Sequence, residues 1–176
     1  ARLARVSLEL GGKNPFVVCD DADLDEAVRW AVLSAFSNAG QRCASGSRII
    51  VFEAIAGEVT RRLVAATRAL RVGSGDDDDF GPVINERQMN SILAAIERAR
   101  HDGAKVLTGG ARATAGPLAG GFYIEPTLLE ALPPDHPVAD TELFGPVAAI
   151  YRVAGFADAL DLANRSAYGL TACIHT

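Results

Sequence analysis

Apolar positions recur at two periods along this chain, and the switches between them mark out its elements. Val6 to Leu10 alternates like a short strand running into Gly11-Gly12, and Pro15 to Cys19 is an uninterrupted apolar strand. Leu24, Ala27, Val28, Ala31, Val32 and Ala35 then fall at helical spacing. Asp23 stands where an N-cap belongs, and Ala39-Gly40 predicts a stop near Asn38. Ser47 to Phe52 is β-branched and apolar, which predicts a buried strand. Ala54 to Leu70 predicts a helix with Ile55, Val59, Leu63 and Ala66 on one face.

Gly73 to Pro82, with its run of four aspartates, reads as a loop, and Asn85 caps a helix through His101 that ends at Asp102-Gly103. Lys105 to Leu107 is a short strand, and Gly109 to Gly121 a surface excursion. Phe122 to Leu129 reads as a strand that Pro126 confines to a sheet edge. Pro133 to Pro137 forms a rigid connector. Val147 to Val153, Phe156 to Asn164 and Leu170 to His175 complete the pattern as strand, helix and strand. No internal repeat is present. Strands alternating with helices predict an α/β fold, an open mostly parallel sheet with helices on both faces.

At 176 residues the chain fits one domain, at most two small ones, and 49% apolar with 22% charged residues excludes disorder as the main state, collagen and coiled coil. No apolar run is long enough to cross a bilayer. A net charge of −5, with scattered bases, argues against a nucleic-acid partner. Three cysteines, Cys19, Cys43 and Cys173, form no disulfide framework, which points to a reducing, cytoplasmic setting. The chain opens on Ala1-Arg2-Leu3 and closes within an apolar stretch, so both ends read as cut from something longer.

Three segments carry candidate chemistry. In Ser37-Asn38-Ala39-Gly40-Gln41-Arg42-Cys43-Ala44, a cysteine sits in a glycine-containing turn between a helix and a strand. Such a turn exposes a thiol and leaves N–H groups free to stabilise a thiolate or an oxyanion. Packing as a small hydrophobe is the plainer reading. Cys19 and Cys173 lie in apolar runs and read as inert core cysteines. Because His101, His136 and His175 lack a suggestive context, a Cys–His pair is unattractive. Glu9 is an acid in an apolar strand end, where it either activates a water or forms an ion pair with Lys13 or Arg5. On residue type alone the ion pair is favoured. In Glu142-Leu143-Phe144-Gly145-Pro146 an acid and an aromatic precede a turn into a strand, either contacting a ligand or capping that turn. There is no GxGxxG, Walker sequence or nucleophile elbow, and the aspartate run lacks calcium-loop spacing.

Taken together, these segments resemble the aldehyde dehydrogenase superfamily. Leu8-Glu9-Leu10-Gly11-Gly12-Lys13-Asn14-Pro15 resembles its glutamate motif, Asn38 to Cys43 its cysteine motif, and Glu142 to Pro146 its cofactor-contacting motif. Gly81 to Asn85 and Asn164 to Leu170 match further signatures, and the separation of 34 positions between Glu9 and Cys43 also fits. The resemblance implies oxidation of an aldehyde to a carboxylic acid with NAD or NADP. Cys43 would form a thiohemiacetal and then a thioester, with its N–H in the oxyanion site. Glu9 would activate the hydrolytic water. Glu142 would hold the nicotinamide ribose and Phe144 would pack near the nicotinamide, with Leu10 and Gly11 lining that pocket.

Residues 1–12 would be the tail of a cofactor-binding domain and residues 13–176 a catalytic domain truncated at its C-terminal end. The family's glycine-rich cofactor fold has no counterpart in this sequence. The resemblance also implies no metal, no membrane partner and a homo-oligomer in the full-length form. Two alternatives stand beside this reading: a CoA-acylating relative, disfavoured by Glu9, and a non-catalytic structural fragment.

Overall fold

A computed structural model describes residues 3–176. Its core is a six-stranded sheet of β1 (Pro15–Val18), β2 (Arg48–Phe52), β3 (Lys105–Thr108), β4 (Thr127–Glu130), β5 (Val147–Val153) and β6 (Cys173–His175). The spatial order is β3-β4-β5-β2-β1-β6, parallel throughout except for β3 against β4. Among the described residues, five α-helices accompany it: α1 (Leu24–Phe36), α2 (Glu53–Arg68), α3 (Glu86–His101), α4 (Pro137–Asp140) and α5 (Phe156–Asn164). The chain steps one way along the sheet from β1 through α1 to β2, and the other way from β5 through α5 to β6. Right-handed crossovers therefore place α1 and α5 on opposite faces.

The centre of the sheet is the driest part, because its strands are β-branched and apolar on both sides. Every residue of β1 and β2 is buried, and Phe16, Ile49, Ile50 and Ile150 are almost wholly enclosed. Ala27, Ala31, Ala35 and Phe36 of α1 and Ala56, Val59, Leu63 and Thr67 of α2 cover one face. The buried stripe of α2 is centred one position from the expected one, with Ile55 and Ala66 half-buried at its flanks. Over the other face α5 buries only Ala159 and leaves Phe156 and Leu160 outward.

The helix starts follow their expected caps. Asp23 accepts from the Asp25 and Glu26 amides, and Asn85 from that of Gln88. Helix α1 stops at Phe36, two residues before the expected Asn38, because Asn38, Ala39 and Gly40 turn into left-handed backbone.

Three expectations are corrected. Val6 to Leu10 is not a strand: the segment pairs with nothing among the described residues, and Leu3, Val6, Leu8 and Leu10 are exposed. Alternation supplies an amphipathic pattern, but a strand also needs a neighbour for its N–H and C=O groups. Phe122 to Leu129 contributes only Thr127–Glu130, inside the sheet between β3 and β5. Pro126 stops the ladder without making an edge, since the antiparallel β3 takes that place. Cys173 is exposed on the outermost strand, so it is no core cysteine, whereas Cys19 is buried as expected. The connector at Pro133 to Pro137 leads into α4, whose cap is His136. Its Nδ1 accepts from the Val138 N–H at 3.1 Å, and its Nε2 lies 3.2 Å from Asp102.

Candidate functional site

The cysteine turn is wound by backbone that ordinary residues rarely adopt. Asn38, Ala39 and Gly40 have φ of 53°, 55° and 66°, and the Gln41 N–H closes the turn onto the Asn38 carbonyl at 3.0 Å. Gly40 also lets a second chain pass: a Cβ there would lie 2.1 Å from the Gly145 carbonyl oxygen. Beyond it, the Ser45 N–H returns to the Arg42 carbonyl at 3.0 Å, and the Gly46 N–H donates to Ser34 Oγ at 3.0 Å. This leaves Cys43 exposed at the crest, with its N–H making no hydrogen bond among the described residues. A bare donor beside a thiol is what an oxyanion would use. The Arg42 guanidinium is held aside by Ser37 Oγ at 2.6 Å.

Under the crest runs the segment Gly12-Lys13-Asn14. The buried Asn14 amide donates to the Cys43 carbonyl at 2.7 Å and to the Ser45 carbonyl at 2.9 Å, while its oxygen accepts from the Thr171 N–H at 3.2 Å. One side chain thus satisfies three backbone groups around the turn. Gly12 is required by closeness, since a Cβ would lie 2.2 Å from the Cys43 carbonyl oxygen.

The third segment meets the same ribbon. The Gly12 N–H donates to Glu142 Oε1 at 3.1 Å, and a Cβ on Gly11 would lie 2.8 Å from Glu142 Oε2 and 3.0 Å from the Tyr168 ring. Gln88 on α3 donates to the Leu143 carbonyl at 2.7 Å, fixing the turn in which Phe144, at φ 51°, presents its ring outward. That left-handed phenylalanine is a strained placement of the kind found at ligand contacts. Gln41 braces the cysteine turn from the other side, donating to the Pro82 carbonyl and accepting from the Ile84 N–H at 2.8 Å.

Two cations lie in the floor. Arg48, on the central strand, donates to the carbonyls of Lys13 at 2.8 Å, Leu162 at 2.9 Å and Ala163 at 2.8 Å, and so ties the ribbon to the C-terminal turn of α5. Burial lowers its pKa. Lys13 is buried too, and its pKa is lowered to about 8 by that burial first and by the Arg48 charge second, against the opposing pull of Glu142 and Asp140.

The fold therefore gathers Glu142 and Phe144 at one narrow crevice also lined by Gly12, Lys13 and Gly40, with Gly11 packed against Glu142 and the Cys43 carbonyl held by Asn14 alongside. Glu9 and Leu10 lie in the exposed segment before it. The ion pair of Glu9 with Lys13 or Arg5 is not formed, and no salt bridge among the described residues includes Glu9. Asn14, Gln41 and Gln88, the amides that hold the three segments, were not anticipated. The legible signal for Asn14 was an amide at the very start of an apolar strand. The other thiols sit apart: burial and then the charges of Asp21 and Asp20 raise the pKa of Cys19, and burial raises that of Cys173. Among the described residues, no helix is long and apolar enough to cross a membrane.

The chain is 35% identical over 178 residues to the alpha-ketoglutaric semialdehyde dehydrogenase of Bacillus subtilis, covering all of this chain and 36% of that one. It is 39% identical over 171 residues to a peroxisomal aminoaldehyde dehydrogenase of Pisum sativum, covering 96% of this chain and 34% of the other. Among solved structures it superposes with a TM-score of 0.93 on betaine aldehyde dehydrogenase from Staphylococcus aureus in complex with NAD+. That match is 34% identical and covers 96% of this chain and 34% of that one. The chain thus spans about a third of the length of these relatives. The sequence model of the aldehyde dehydrogenase family matches residues 1–176, and the chain belongs to that family.

Proposed function

We propose that the protein carrying this chain oxidises an aldehyde to a carboxylic acid through a covalent adduct on Cys43. The observation that carries the reading is the single ribbon Gly12 to Asn14, hydrogen-bonded to Glu142 at one end and to the cysteine turn at the other. The Cys43 thiolate attacks the carbonyl carbon, and the unpaired Cys43 N–H stabilises the oxyanion of the thiohemiacetal. Loss of hydride converts this adduct to a thioester. Glu9, on the exposed arm before Gly11, serves as the base that takes a proton from the hydrolytic water, and thiolate leaves. This base favours hydrolysis over acyl transfer to CoA.

The residues present fit a nicotinamide dinucleotide: the half-buried Glu142 carboxylate for the ribose hydroxyls, the outward Phe144 ring for the nicotinamide, and Leu10 and Gly11 beside them. When bound, NAD+ or NADP+ supplies the hydride acceptor. The S. aureus relative, seen with NAD+, supports this assignment. By the same family reading, residues 1–12 close a cofactor-binding domain, residues 13–176 belong to the catalytic domain, and the protein works as a cytoplasmic homo-oligomer.

The test is intact-mass analysis after exposure to an activated ester such as p-nitrophenyl acetate. The acyl adduct is expected on the parent and on Cys19→Ser and Cys173→Ser, and is expected to vanish in Cys43→Ser. An adduct that survives in Cys43→Ser rules out the nucleophile assignment.

A further inference from the structure

The chain contains two lysines, and they sit in opposite settings: Lys105 is exposed, while Lys13 is 3% exposed. Lys13 stands between the two residues that assemble the site. Gly12 on one side holds Glu142, and Asn14 on the other holds the Cys43 and Ser45 carbonyls. Its own carbonyl is fixed by Arg48, which is anchored to α5. With three successive residues tied down, the backbone cannot swing the lysine out to solvent. Its side chain stays with the crevice lined by Gly12, Glu142, Phe144 and Gly145.

A buried ammonium is expensive, and here no hydrogen bond or salt bridge within 4.0 Å repays it among the described residues. An apolar residue of similar length would fill the same space and serve the fold better. The charged groups facing it are Arg48 from β2, which repels it, and Glu142 and Asp140 from the segment before β5, which attract it. Of those two acids, Glu142 shares both the crevice and the Gly12 tether. A charge kept at a cost to stability, beside a carboxylate assigned to the ligand, points to a role in that carboxylate's placement.

We propose that Lys13 is a positioning residue whose ammonium is the counter-charge orienting Glu142 over the Gly12 N–H, and that it thereby sets affinity for the nicotinamide ribose. This rests on the assignment of Glu142 to that ribose. Lys13 touches no reacting atom; it acts through Glu142.

The experiment uses the protein as its gene encodes it, in a Cys43→Ser background, and measures dissociation constants for NAD+ and for AMP by calorimetry. AMP lacks the nicotinamide ribose and so reports the rest of the cofactor site. Lys13→Met is expected to weaken NAD+ binding about tenfold and leave AMP within about twofold, a difference of roughly 1.4 kcal/mol. A merely structural lysine would shift both ligands or neither, and either result overturns the proposal. Glu142→Gln and the Lys13→Met/Glu142→Gln pair complete a double-mutant cycle. Losses that multiply independently show that Lys13 does not act through Glu142. If Glu142→Gln leaves NAD+ binding unchanged, the ribose assignment itself fails, and this inference goes with it. Should Lys13→Met not fold, the parent's NAD+ affinity from pH 7 to 9.5 decides. It is expected to fall as the Lys13 amine loses its proton near pH 8, and a flat profile overturns the proposal.

Discussion

Residues 3–10 and residues 11–14 adjoin in the chain and carry one continuous motif, yet the structure treats them in opposite ways. Gly12 and Asn14 are buried, and their hydrogen bonds reach Glu142, Cys43, Ser45 and Thr171. Glu9 and Leu10, two residues and one residue before Gly11, are exposed and belong to no strand. The difference shows that a motif marks residue type, while placement depends on what the neighbouring backbone can be tied to. Four long-range hydrogen bonds hold the ribbon. The arm carrying the candidate base has no such contact among the described residues.

Substitutions in the two regions should separate cleanly. The largest effect is expected from Gly40→Ala, where a Cβ meets the Gly145 carbonyl and φ is 66°. A loss of about 4 kcal/mol in urea unfolding is expected, together with slower alkylation of Cys43. A loss below about 1 kcal/mol would show the crossing to be loose.

Next is Lys13→Met, with the opposite sign. The folded pKa of about 8 lies below the ordinary 10.5, so between these values the unfolded chain binds more protons and stability rises with pH. The penalty is therefore present below pH 8 and relieved by about pH 10.5. Lys13→Met should be more stable than the parent at pH 7 by up to about 3 kcal/mol, and the advantage should shrink across that window. A constant difference at all pH values would assign the effect to packing.

Asn14→Ala leaves three backbone groups without their partner and is expected to cost about 2 kcal/mol and to disorder the cysteine turn, read as a changed Cys43 alkylation rate. Smallest is Glu9→Gln. It should change unfolding stability by less than about 0.5 kcal/mol, as for other exposed sites. In the whole protein it should slow thioester hydrolysis more than the pre-steady-state burst of hydride transfer. A stability loss matching that of Asn14→Ala would erase the contrast between the two regions, and equal slowing of both steps would remove Glu9 as the base.

Much of this arrangement was legible from local pattern. The positions of α1, α2, α3 and α5 and of β1, β2 and β5 follow from periods of 3.6 and 2 and from caps such as Asp23 and Asn85. The strand at Val6 to Leu10 misled because alternation is blind to whether a pairing partner exists. Pro126 misled because it stands just before the strand, where a missing N–H removes no ladder bond. The amides of Asn14, Gln41 and Gln88 went unread because a polar residue's partner has no signature in its own neighbourhood.

The sequence by itself determined the element order, the family signatures and the identity of the thiol, carboxylates and aromatic that can do chemistry. Tertiary structure alone decided which of the segments carrying them meet, and which are held. The bonds that assemble the site span 29, 130 and 157 positions, from Asn14 to Cys43, Gly12 to Glu142 and Asn14 to Thr171. Local periodicity reaches only a few residues along the chain. Contacts at such separations exist only once the strand order β5-β2-β1-β6 has brought the loops at those strand ends side by side.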